Sequence, residues 1–111
     1  MGTHLPQNNF RRILLDAVDE SLSSLGDSPK QAIFFHLETS FRLKKESIPA
    51  NLTEFANALE QIFGFGASYI EKLIVTHLCE KLGIQLEEME SCNFLECVSK
   101  VQKRTATNLE C

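Results

Sequence analysis

Leu52-Thr-Glu-Phe-Ala-Asn-Ala-Leu-Glu-Gln-Ile-Phe-Gly-Phe-Gly-Ala-Ser-Tyr-Ile-Glu-Lys-Leu-Ile-Val-Thr-His-Leu-Cys-Glu-Lys-Leu82 is the stretch that decides the fold. Apolar residues fall at Leu52, Phe55, Ala56, Leu59, Ile62 and Phe63. After Gly64-Phe65-Gly66 the stripe resumes through Ile70, Leu73, Ile74, His77, Leu78 and Leu82. Steps of three and four lay such positions along one face of an α-helix. Two helices joined at the glycines are therefore predicted. The second also carries Val75 and Cys79 beside its stripe, so its apolar surface is wider than one face. A helix of that kind must be covered from several sides, which places it at the centre of the domain or of a dimer.

Working outward, Phe10, Ile13, Leu14, Ala17, Val18, Ser21, Leu22 and Leu25 mark an earlier helix over 9–25, capped by Asn8 or Asn9 and ended by Gly26. Ser28-Pro29-Lys30-Gln31 has the pattern of a capping box with proline in the first turn. It opens a helix whose inner face is Ala32, Ile33, Phe34, Leu37, Ser40 and Phe41, fading across 42–46. Ser47-Ile48-Pro49-Ala50 reads as a connector, with Ile48 pushed toward extended backbone by Pro49 and joining Leu43 in closing the core. Asn51 and Ser68, each followed three residues on by Glu54 and Glu71, read as caps of the two central helices. Gly83 ends the second. Phe94, Leu95, Cys97, Val98 and Val101 suggest a final helix starting at Glu87 or Ser91, with Lys100, Lys103 and Arg104 near its end.

The fold class is all-α, a compact bundle of four to five helices with antiparallel neighbours, since links as short as 26–28 and 64–67 turn the chain back on itself. The division is a tail over 1–7, a bundle core over 8–84, a C-terminal helix over 85–104 and a second tail over 105–111. At 111 residues one modest core suffices. No apolar run approaches the roughly 20 residues that span a bilayer, and the start lacks the basic-then-apolar layout of a secretory signal. A cytoplasmic protein is expected, with no membrane partner. The net charge of −4 does not recommend nucleic acid.

Candidate chemistry is sparse. His77, Cys79, Cys92 and Cys97 could be tried as a zinc set, but neither His77–Cys79 nor Cys92–Cys97 has the spacing of a zinc knuckle. No metal or cofactor is expected. The helix–glycine–helix invites comparison with a DNA-binding helix-turn-helix. That alignment puts Glu60 where the two helices need a small residue, and the second helix opens with one lysine and one glutamate, a weak phosphate-binding face. DNA binding would need Arg11, Arg12, Arg42, Lys44 and Lys45 to converge, joined by Lys100, Lys103 and Arg104. His36 resembles a phosphotransfer histidine, yet Glu38 and Thr39 follow where lysine and glycine are usual, and an acid repels incoming phosphate. His77 reads as a core or interface histidine, and His4 lies in the tail. There is no Gly-x-Ser-x-Gly elbow and no phosphate-cradling loop, so no enzyme is expected. What remains is surplus apolar surface. Phe35, Phe65, Tyr69, Val75 and Cys79 are the candidate interaction residues, with Leu15 a further exposed position. They point to a protein partner, first of all a second copy.

The segments ILLDAVDESLSSLG, SPKQAIFFHLETSF and IPANLTEFANALEQIFGFGASYIEKLI, within residues 10–84, resemble a family of small archaeal helical domains called Nitrosopumilus output domains. Members occur alone or attached to signalling receiver modules. The resemblance implies a helical fold and a regulatory or signalling-output role, and brings no catalytic or binding motif. The segment after Ile84 departs from it.

Overall fold

The computed structural model describes residues 7–85 and 93–110, the stretches 7–9 and 104–110 as backbone only. Among the described residues five α-helices follow one another: α1 (Gln7–Ser23), α2 (Asp27–Ser40), α3 (Leu52–Phe63), α4 (Ala67–Leu82) and α5 (Phe94–Glu110). Short 3-10 turns occupy Lys45–Ala50 and Gly64–Gly66, and no strand occurs among the described residues. The chain is an all-α bundle. None of the described helices is long and apolar enough to cross a membrane.

The wide apolar surface of α4 explains the packing. α1, α3 and α5 all lie against it, and α1 in turn carries α2 and the first 3-10 turn. Ala67, Ile70, Ile74, Val75, Leu78 and Cys79 are all buried. Val75 and Cys79, expected as contact residues on a free second side, are only 5% and 1% exposed. The correction has a simple cause. Helix α5 packs on α4 in addition to α1 and α3, so more of the α4 surface is covered than one stripe. Its Phe94, Cys97, Val98 and Val101 enter the same hydrophobic cluster as Val75 and Cys79, and its Phe94 ring lies 6.4 Å from that of Phe55 on α3. Leu15 is half-buried, while Leu43 and Ile48 are buried as expected.

Helix ends differ from expectation in physically instructive ways. Asn8 and Asn9 lie within α1, which starts at Gln7. Gly26, at φ 111°, is the N-cap of α2, and Ser28 makes no capping bond because it already lies inside the helix. Asn51 also makes no forward cap; its side-chain amide donates to the Ser47 carbonyl at 2.9 Å and closes the preceding turn. Ser68 is likewise not a cap, because the 3-10 turn feeds directly into α4. Ile48 is helical despite Pro49: burying it completely outweighs the pre-proline preference. α4 stops at Gly83, where the Ile84 N–H returns to the Cys79 carbonyl at 2.9 Å. The true capping box belongs to α5: Asn93 Oδ1 accepts from the Glu96 N–H at 2.9 Å, and Glu96 Oε1 accepts from the Asn93 N–H at 3.4 Å. The expected starts at Glu87 and Ser91 lie outside the described residues, as does the tail over 1–6. α5 continues to Glu110, six residues past the expected end at Arg104.

Candidate functional site: the aromatic corner between α3 and α4

Gly64 sets the corner. It holds φ 59°, ψ −126°, a region open to glycine and costly for any residue with a Cβ. The chain reverses there without a side chain, and Phe65 is thrown outward. Phe65 is 103% exposed and Tyr69, one helical turn on, is 62% exposed. Phe65 lies in the 3-10 turn and Tyr69 in the first turn of α4, four residues apart. Lys72 and Thr76 continue the Tyr69 side of α4, with the Thr76 hydroxyl donating back to the Lys72 carbonyl at 2.8 Å. Of the five candidate interaction residues, Phe65 and Tyr69 stand exposed at the start of α4 and in the turn before it, whereas Val75 and Cys79 lie in the core. Phe35 is 70% exposed but stands on α2, which packs on α1 and the first 3-10 turn. Leu95, 38% exposed on α5, is a further apolar surface residue; it falls beside the buried stripe of α5, and that offset was readable from its spacing.

Acids dominate the other side of the hairpin. Burial pushes the Glu71 carboxyl upward, and the nearby charge of Glu60 pushes it further. A helix-turn-helix would present phosphate-binding groups here, and instead two carboxylates repel each other across the helices. Of the basic residues that DNA binding would draw on, Lys45 is held by an acid. Lys45 Nζ lies 3.0 Å from Asp19 Oδ1 and 5.0 Å from the centre of the Phe34 ring. Lys30 reaches the same Asp19 oxygen at 3.5 Å. Burial acts to raise the Asp19 pKa, but its hydrogen bonds and charge interactions with Lys45 and Lys30 bring it below the usual carboxylate value. Arg11, Arg12, Arg42 and Lys44 are exposed, as are Lys100 and Lys103, while the Arg104 side chain is outside the described residues.

Neighbouring Glu20 reaches the other way. Its carboxylate takes Lys81 Nζ at 2.6 Å and stands 3.4 Å from His77 Nδ1, joining α1 to α4. The hydrogen bond to Glu20 raises the Lys81 pKa. His77 is thus a half-buried interface histidine. Sequence spacing alone could not pair Glu20 with residues more than fifty positions away. His36 is exposed on α2, with Nδ1 3.2 Å from Ser40 Oγ and its ring edge-on to Phe41 at 5.5 Å. These are contacts between residues four and five apart, and among the described residues no acid is shown joining them. Cys79 and Cys97 are buried, whereas Cys92, Cys111 and His4 fall outside the described residues. Among the described residues no three His, Cys, Asp or Glu side chains are placed to hold a metal ion. No family model matches the chain, and neither does any curated protein or solved structure.

Proposed function

We propose that this chain is a non-enzymatic helical interaction module that works inside the cell in a regulatory or signalling-output role and associates with itself. The observation that carries this reading is the exposed aromatic pair at the α3–α4 turn: Phe65 fully in solvent beside Gly64, and Tyr69 exposed in the first turn of α4. Aromatic side chains concentrated on a rigid element are the anchors from which protein contacts are built. The role matches the one implied by the likeness of residues 10–84 to the archaeal output domains, a likeness that rests on the quoted segments alone. Lys45 and Lys30 are engaged with Asp19, and the two acids across the hairpin count against a phosphate-binding face, so nucleic acid is the weaker reading.

Sedimentation over a wide concentration range tests the proposal. A reversible dimer is expected in the wild-type chain. A second run with the Phe65→Ser, Tyr69→Ser double variant asks whether the corner is the copy-to-copy contact or faces another protein. A monomer at every concentration that binds duplex DNA, with affinity falling steeply as salt rises, would overturn the reading in favour of a DNA-binding regulator.

A further inference from the structure

We draw no further inference here: the strongest candidate, the exposed apolar surface of Phe65 and Tyr69 at the α3–α4 turn, belongs to the site already described, and nothing in the structure shows what covers it.

Discussion

Gly64 and Gly66 flank the same phenylalanine, yet the structure assigns their replacement by alanine opposite signs. Gly64 sits at φ 59°, ψ −126°, and a Cβ built there would meet no atom within 4 Å. The cost of Gly64→Ala is then purely conformational, about 1–3 kcal/mol for a residue forced into that region. The smaller entropy of the unfolded alanine chain offsets roughly 0.4–1 kcal/mol of it. A net loss of about 1–2 kcal/mol follows. Gly66 instead has φ −69°, ψ −13°, ordinary helical backbone. Its added Cβ would stand 3.6 Å from the Phe63 Cβ, normal contact. Gly66→Ala therefore gains about 0.4–1 kcal/mol. The two variants should differ by about 2 kcal/mol, which for a domain of this size separates their melting temperatures by about 10 °C. Urea and thermal unfolding followed by circular dichroism would measure both. Equal effects, or a Gly66→Ala that melts below wild type, would refute the assignment of strain to Gly64 alone.

Three further substitutions have defined outcomes. Because burial and then Glu60 raise the Glu71 carboxyl, its ionised form is disfavoured in the folded state, and stability is lost as pH rises through the folded pKa. Glu71→Gln should accordingly stabilise the protein at pH 7 and leave it unchanged at acid pH below the unfolded value, as read from urea midpoints at the two pH values. Asp19 has the opposite sign. Its depressed pKa contributes stability above the unfolded value that disappears as pH falls through the folded one. With partly solvated partners, Asp19→Asn should cost about 0.5–1 kcal/mol at pH 7 and nothing at strongly acid pH, where chemical denaturation of both proteins should coincide. Arg42 has φ 54°, where a side chain is a burden, so Arg42→Gly should raise stability by about 0.5–1 kcal/mol; a lower melting temperature in calorimetry would contradict it.

Helix positions were legible because the stripes of α1 to α4 depend only on local spacing. What spacing could not give was the partner of each face. Val75 and Cys79 read as surplus because the helix that covers them begins in a segment whose pattern loosens after Gly83. The Asn93-x-x-Glu96 box immediately before Phe94 is the signal that fixes the start of that helix, and neither Glu87 nor Ser91 belongs to it. Caps misled in the other direction. Ser28, Asn51 and Ser68 all have the right neighbours in sequence, yet 3-10 turns and a glycine in the linkers take over the work of starting those helices. Of the candidate site, Phe65 was readable from its glycines, and Tyr69 stands exposed one turn beyond it. Phe35 was readable as exposed, but its separation from that pair depends on where α2 docks, which no spacing in the chain encodes.

Asp19 and Glu20 are consecutive on α1, and successive helical residues point about 100° apart. One therefore fastens α2 and the first 3-10 turn, and the other fastens α4. This pair fixes the rotational phase of α1: rolling it about its long axis, or sliding it by one residue, would break both attachments at once. A force on α4 would thus reach α2 and the first 3-10 turn through α1, because two adjacent carboxylates clasp both sides of that helix.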